Sequence, residues 1–243
     1  MNFQLEIIGF TIAGCISAQM AGAHRIELCD NEAAGGTTPS YGFTKSARQH
    51  LSIPLYPIIR PRGGDFFYSD AEVEIMKADI TQCKALGCDG VVLGILNDQG
   101  HVDKQRCARL IDLAYPMGVS FHRAFDVVND AAQSLEDIID LGCERVLTSG
   151  GKATAAEGAA AIASLIKQAD GRIIIMPGSG IRAANILQIA EQTGASEFHS
   201  SARKYLGGDQ QNPASGSRPT SSHVGVDEIE VRMMNQILSA RKA

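Results

Sequence analysis

Two histidines and a glutamate stand where this chain could carry out acid–base chemistry. Glu27, His122 and His199 each lie near the end of a short run in which apolar and polar residues alternate. A histidine near a carboxylate can donate or accept a proton close to neutral pH, or bind a metal ion. We interpret Glu27 and His122 as a candidate catalytic acid–base pair. The alternative for His122 is a hydrogen-bonded role in a polar core.

Arginines and glycine-rich turns follow several of these runs and favour an anionic ligand. The segment from Arg60 to Asp65 places two arginines around a proline, followed by two glycines, and an arginine fork suits carboxylate or phosphate groups. The segment Pro177-Gly178-Ser179-Gly180 is typical of loops that bind phosphate through backbone N–H groups near a helix N-terminus. Surface salt bridges and tight turns are the alternative explanations. The candidate ligand-binding residues are Arg60, Arg62, Asp65, Arg123, Asp126, Ser149, Gly178, Gly180, His199 and Ser200.

A recurring pattern of helix, glycine and strand indicates the elements that position these residues. Gly22, Gly87, Gly142 and Gly194 each follow a helix-like stretch and precede a short apolar run, as expected of a helix C-terminus. Strands are predicted near 3–8, 24–29, 54–60, 90–95, 117–122, 144–148, 172–176 and 196–199. Helices are predicted near 11–21, 42–50, 70–86, 103–115, 130–141, 154–168, 182–192 and 226–242.

Eight such units predict an α/β fold, a single-domain (β/α)8 TIM barrel with a parallel eight-stranded sheet spanning residues 1–243. An open doubly wound sheet is the alternative, but no Gly-x-Gly-x-x-Gly follows the first strand. The stretch from about 205 to 225 is rich in Gly, Pro and Ser and predicts a mobile loop before the last helix.

The alternation within the strands predicts a barrel interior that carries charge. Glu6, Arg25 and Glu197 fall early or midway along their strands and are expected to form a structural ion-pair network, because an unpaired buried charge is costly. The polar residues at the carboxyl ends of the strands lie where barrel active sites are built. They are Glu27, Arg60, His122 and His199.

Bulk composition excludes several classes of function. The 243 residues carry a formal net charge of −5, and acidic and basic residues are mixed along the chain. This charge pattern does not indicate binding to nucleic acid or to an anionic membrane. No apolar run is long enough for a membrane span, and the first residues do not resemble a secretory signal. Six scattered cysteines without a Cys-x-x-Cys spacing predict reduced thiols in a cytoplasmic protein.

Several long motifs resemble the CutC copper homeostasis family. They are Arg25-Ile26-Glu27-Leu28-Cys29, Gly35-Gly36-Thr37-Thr38-Pro39-Ser40, the segment from Pro57 to Phe66, Phe121-His122-Arg123-Ala124-Phe125-Asp126, the segment from Arg145 to Gly150, and Glu197-Phe198-His199-Ser200-Ser201-Ala202. The resemblance runs from about residue 3 to 203. It implies a (β/α)8 barrel in a cytoplasmic protein. It also implies a role in copper homeostasis, with copper bound as Cu(I), and a homo-oligomer that is a dimer or a tetramer.

Cys29 is the candidate metal ligand that follows from this resemblance, because it alone of the six cysteines falls at the barrel mouth. Some family members carry a second cysteine near the end of strand 1, where this chain has Ile8. Two hypotheses therefore stay open: a copper-binding protein using Cys29, with His199 or His122 assisting, and a barrel enzyme or binder for a small anionic metabolite. A purely structural scaffold is the third. Whether the protein is an enzyme is left open.

Overall fold

The computed structural model describes residues 3–206 and 223–240, which form eight strand–helix units and one additional hairpin. Strands β1–β8 are Gln4–Gly9, Arg25–Leu28, Leu55–Pro57, Gly90–Leu93, Gly118–Phe121, Arg145–Thr148, Ile174–Pro177 and Glu197–Ser200. Helices α1–α8 are Ile12–Met20, Tyr41–His50, Asp70–Ala85, Lys104–Ala114, Ala131–Asp140, Ala159–Ala169, Ile186–Thr193 and Glu228–Ala240.

The strands are parallel and form a closed ring. One half has the order β3-β2-β1-β8 and the other the order β4-β5-β6-β7. A parallel bridge between Ile58 and Val92 joins β3 to β4, and β7 lies beside β8. The predicted (β/α)8 barrel is therefore confirmed. None of the helices in the described part of the chain is long and apolar enough to cross a membrane.

Local signals explain why the helices begin and end where they do. Ser69 and Glu72 form a reciprocal capping box at the start of α3, and Asp130 caps α5 by accepting from the Gln133 N–H group. Gly22 and Gly87 follow α1 and α3 with φ of 94° and 75°. Only glycine adopts such angles without steric cost, so the helix–glycine–strand prediction is correct for a physical reason.

Apolar side chains form two layers, separated by the barrel wall. The larger layer lies between strands and helices and includes Leu5, Ile26 and Leu55, all fully buried. The smaller one comprises Cys29, Tyr56, Ile58 and Val92, with Ile8 and Phe10 packed against it. This division follows from the side-chain alternation of a strand, which sends neighbouring residues to opposite faces.

A buried ion-pair network fills the lower part of the barrel, as predicted. Arg25 donates to both Glu6 and Glu197, the latter at 2.7 Å. Arg145, which the sequence did not single out, adds a contact of 3.3 Å to Glu197 and a hydrogen bond to the Ser120 hydroxyl. Each carboxylate thus has a cationic partner, which offsets the cost of burial.

The segment after β8 differs from the predicted loop. Strands β9 (Arg203–Leu206) and β10 (His223–Val226) pair in antiparallel orientation. The prediction of a loop from about 205 to 225 was therefore wrong at both ends, because the Gly-, Pro- and Ser-rich composition of the stretch concealed the two strand segments. Residues 207–222 lie outside the described part of the chain.

Candidate functional site

A cavity of about 410 Å³ opens at the carboxyl ends of the barrel strands. Of the predicted site residues, those that line it are Glu27, Arg60, His122, Arg123, Asp126, Gly178, Gly180, His199 and Ser200. Residues far apart in the chain thus meet at one opening, where barrel active sites are found. Charged and polar groups dominate its floor, and arginines lie at its rim.

Three ionisable groups form a line at the floor of the cavity, where Glu27 and His199 line it and Glu6 lies behind His199. His199 Nδ1 lies 2.7 Å from Glu6 Oε1, and His199 Nε2 lies 3.7 Å from Glu27 Oε2. All three side chains are buried. Glu6 stands directly opposite Arg25 on one side and opposite His199 on the other, so strand register brings them together.

The environment separates the proton affinities of the two glutamates. Burial alone would raise the pKa of Glu6, but Arg25 and His199 lower it to about 2. For Glu27, burial dominates the attraction of His199 and raises the pKa to about 7. Burial would lower the pKa of His199, but the hydrogen bond to Glu6 and the charge of Glu27 raise it. Glu6 therefore stays ionised, while Glu27 titrates near neutral pH.

His122 is a neutral imidazole with one free position. Burial and the positive charge of Arg60 lower its pKa to about 3. Its Nδ1 accepts a hydrogen bond of 3.3 Å from the Ala124 N–H group, which assigns the proton to Nε2. That Nε2 atom is buried and has no hydrogen-bond partner among the described residues. The predicted pairing of Glu27 with His122 is not seen as a direct contact in the described structure, where Glu27 faces His199.

Arg60 lines the cavity, but most of its guanidinium N–H groups donate to backbone carbonyl groups of the protein. Its two Nη atoms donate to the carbonyl oxygens of Ala34, Gly36 and Gly64 at 2.7–2.8 Å. Its guanidinium also lies over the Phe66 ring. Arg60 thus fixes two loops at the mouth, and its charge acts on the cavity from a fixed position.

Three further arginines lie at the rim of the cavity, and the sequence prediction had included only one of them. Arg123, Arg182 and Arg203 all line the cavity. Arg203 pairs with Glu32 at 2.8 Å, but Arg123 and Arg182 have no carboxylate within ion-pair distance among the residues described. Arg182 directly follows the predicted glycine loop, and this position was the available signal for it.

The loop after β7 lines the cavity with Gly178, Ser179 and Gly180. Ser179 and Gly180 have φ of 72° and 75°, and their N–H groups have no acceptor within the described ranges. Helix α7 begins only at Ile186, because a turn held by Asn185 intervenes. The helix predicted at 182–192 thus begins four residues later than expected, so the glycine loop does not run straight into a helix N-terminus.

Other predicted residues hold the loops around the site in place through hydrogen bonds. Asp126 accepts hydrogen bonds from the Thr148 hydroxyl at 2.5 Å and from the N–H groups of Ser149 and Gly151, so it shapes the loop after β6. The Ser149 hydroxyl donates to the Lys152 carbonyl, and Ser149 does not line the cavity. The Ser200 hydroxyl donates to the Ile181 carbonyl.

Arg62 and Asp65 are not brought to the cavity. Arg62 is held by Glu72 at 2.5 Å and by Asp65 at 3.0 Å, with its guanidinium over the Tyr68 ring. The Asp65 side chain is 70% exposed. The structure places neither residue at the cavity, and Glu72 at the start of α3 binds Arg62 instead.

Cys29 lies beneath the cavity and does not line it. Its side chain is fully buried against Gly36 and the inner apolar cluster. Burial and the charges of Glu27 and Glu6 raise the pKa of its thiol well above the usual range. Cu(I) binds the thiolate and prefers soft donors. Ile8 packs in the same cluster. The Cys15 thiol is near enough to act on Cys29 but belongs to the outer apolar layer, so the inner cluster of the described chain contains no second thiol.

Glu6, Glu27 and His199 form the group of potential metal ligands found in the described chain, with donor atoms within 4.8 Å of one another. Both oxygens of Glu6 are already engaged, one by His199 and one by Arg25. Only Glu27 and His199 Nε2 remain, which is fewer than the three protein ligands of a typical catalytic zinc site. This oxygen and nitrogen set also does not suit Cu(I).

Comparison with known proteins places this barrel in a family. The sequence profile of the CutC family matches residues 3–204. The chain belongs to the CutC family. A CutC family protein from Chromobacterium violaceum is 50% identical over 245 residues, covering 100% of this chain and 98% of the relative. The copper homeostasis protein cutC homolog of Homo sapiens is 49% identical, over 83% of this chain and 74% of its own length.

A solved CutC structure shares the fold. The protein from Streptococcus agalactiae is 36% identical, with a TM-score of 0.79 over 82% of this chain and 98% of that one. Membership of the copper homeostasis family is thus established by sequence and by structure. The names of these relatives describe them and leave open what this CutC protein binds.

Proposed function

We propose that this CutC protein binds a small anionic metabolite, bearing a phosphate or a carboxylate group, in the cavity at the carboxyl ends of its strands. The observation that carries the proposal is the pair Arg123 and Arg182, two cationic side chains that line one cavity without a carboxylate partner in the described structure. Arginine forks bind such anions through paired hydrogen bonds.

Two further features of the rim support an anion. The N–H groups of Ser179 and Gly180 are available as donors in a loop that also lines the cavity. Arg123 Nη2 lies 3.5 Å from the Ser179 hydroxyl, so a side-chain cation and the loop donors stand on the same side of the opening. A cavity of about 410 Å³ has room for a small metabolite.

Calorimetric titration with inorganic phosphate tests this proposal. We expect binding to the wild type and a loss of roughly tenfold or more in affinity in the double variant Arg123→Gln/Arg182→Gln, because hydrogen bonds to charged groups contribute about 1.5–3 kcal/mol. A matched control is Arg232→Gln, an exposed residue of α8 paired with Glu228. Equal phosphate affinity in all three proteins would refute the proposal.

Cu(I) binding at Cys29 is the second candidate, favoured by the family and by the position of Cys29 inside the barrel. Its complete burial, its raised thiol pKa and the neighbouring Ile8 weigh against it. Titration of Cu(I) against wild type and Cys29→Ser, with Cys107→Ser in α4 as control, separates the two outcomes. A loss of affinity in Cys29→Ser alone would support copper binding, and equal affinity in all three would remove this site.

A cytoplasmic location and a homo-oligomer, dimer or tetramer, complete the proposal. The six cysteines are free thiols, as expected in a reducing compartment. The apolar side chains of Met20 and Tyr41 are exposed on the neighbouring helices α1 and α2, where a second copy could cover them. Light scattering after size-exclusion chromatography measures the mass, and a monomer at micromolar concentration would refute the oligomer.

A further inference from the structure

The Glu27 carboxylate is buried but takes no part in the ion-pair network of the barrel interior. Glu27 is 3% exposed and lines the cavity. No hydrogen bond reaches its carboxylate from the residues that the structure describes, and its ionic neighbour, His199 Nε2, is 3.7 Å away. Glu6 and Glu197, by contrast, are both held by Arg25. Burying a carboxylate without hydrogen bonds is costly, and such groups concentrate at functional sites.

The His122 side chain lines the same cavity, and its buried Nε2–H group is a second polar group without a partner in the described chain. Gly94 makes room for this ring, because a Cβ atom there would lie 2.7 Å from the imidazole. A neutral imidazole can donate a hydrogen bond to a developing oxyanion without giving up its proton.

We propose that the cavity catalyses proton transfer at a carbon next to a carbonyl group of its anionic ligand, with Glu27 as the base and His122 Nε2–H as the donor to the carbonyl oxygen. This inference rests on the anion-binding function proposed above and adds a reaction class to it. The ligand class is therefore a small carbonyl compound that bears a phosphate or a carboxylate.

The step is balanced within the cavity. The C–H bond breaks, its proton moves to a Glu27 oxygen, and its electron pair forms the enolate, whose oxygen accepts the hydrogen bond from His122. Return of the proton to the same carbon regenerates the ligand. In an α-hydroxy carbonyl compound, the proton can instead go to the former carbonyl carbon while the hydroxyl proton moves from the neighbouring oxygen to the enolate oxygen, and this isomerises the compound. No oxidant, reductant or second substrate is required.

Four charged groups face Glu27 and adjust its basicity. Glu6 from β1 disfavours the carboxylate, whereas Arg25 from β2, Arg123 after β5 and His199 from β8 favour it. Because burial outweighs these charges, the pKa of Glu27 rises to about 7, which suits a general base at neutral pH. His199, held on Nδ1 by Glu6, is a positioning residue that places its charge beside Glu27.

Proton NMR in D₂O tests the inference, with dihydroxyacetone phosphate and pyruvate as anionic probes and unphosphorylated dihydroxyacetone as the uncharged control. We expect the wild type to replace C–H signals of an anionic probe by deuterium faster than buffer does. Glu27→Gln should slow this exchange by roughly 100-fold or more. Glu74→Gln, an exposed residue of α3, should leave the rate unchanged.

The pH profile identifies the positioning role of His199. His199→Gln removes a positive charge beside Glu27, so the midpoint of the rate profile should move to higher pH. A merely structural role would lower the rate at every pH and leave the midpoint in place, which would overturn this part of the assignment.

Binding of both anionic probes, measured by calorimetry on the same samples, keeps two failures apart. Probe binding without exchange would overturn the proton-transfer inference and leave the anion-binding function intact. Absence of probe binding, together with absence of phosphate binding, would remove both. Equal exchange in wild type and Glu27→Gln would show that Glu27 is not the base.

Discussion

Replacing Glu27 by glutamine should make the stability of the protein less sensitive to pH. The pKa of Glu27 lies at about 7 in the folded protein, against an ordinary value of 4.5. A carboxyl group whose pKa is raised by folding contributes stability that is fully present below pH 4.5 and is lost as the pH rises through 7. Glutamine does not titrate, so the variant does not lose this contribution.

The size of the effect follows from the same values. The rise from 4.5 to about 7, at about 1.4 kcal/mol for each pH unit, corresponds to roughly 3 kcal/mol. His199 acts in the same direction: burial lowers its pKa, but Glu6 and the charge of Glu27 raise it, and the variant lacks the second of these charges. Relative to the wild type, Glu27→Gln should therefore gain about 3 kcal/mol in free energy of unfolding between pH 4.5 and pH 8.

Urea unfolding of wild type and Glu27→Gln across this pH range measures the difference directly. Glu74→Gln removes an exposed carboxylate and should track the wild type to within about 0.5 kcal/mol. If the curves of wild type and Glu27→Gln ran parallel over the whole range, Glu27 could not have an elevated pKa, and the description of the cavity floor would be wrong.

Two further changes probe the barrel interior. Arg25→Met leaves two buried carboxylates without their shared partner and should lower the free energy of unfolding by roughly 3–5 kcal/mol. The control Lys77→Met breaks an exposed pair and should lower it by less than about 1 kcal/mol. Urea unfolding measures both values. Gly94→Ala places a Cβ atom 2.7 Å from the His122 ring, so the His122 imidazole NMR signals should shift and stability should fall by roughly 1–3 kcal/mol. The control Gly42→Ala meets nothing within 4 Å, and a loss there as large as in Gly94→Ala would contradict the packing argument.

The eight strand–helix units could be predicted because each carries its own local signal. A glycine with positive φ follows the helix at Gly22, Gly87, Gly142 and Gly194, and a short apolar strand comes next. These signals depend on neighbouring residues alone and need no knowledge of tertiary structure. Strands β9 and β10 carry no such signal, because neither follows a helix that ends in glycine and β10 comes directly after a stretch rich in Gly, Pro and Ser.

The composition of the barrel interior could also be predicted, since alternation along a strand assigns each side chain to a face. The pairing within the interior could not. Glu6 meets His199 because β1 and β8 are in register, and that register depends on how the ring closes. Arg62 shows that a local motif can also mislead. Its motif suggested an anion-binding site, but the carboxylate of Glu72, ten residues further along the chain, binds it.

The register of β1 against β8 ties the site to the final step of assembly. Glu6 lies in the first strand, and its imidazole partner is 193 residues further along, in the last. A nascent chain that has completed only seven units therefore has Arg25 without Glu197 and Glu6 without His199. The Glu6–His199 contact and the β1–β8 pairing that closes the barrel therefore form together. A ligand that binds only the completed cavity floor would also stabilise the β1–β8 pairing.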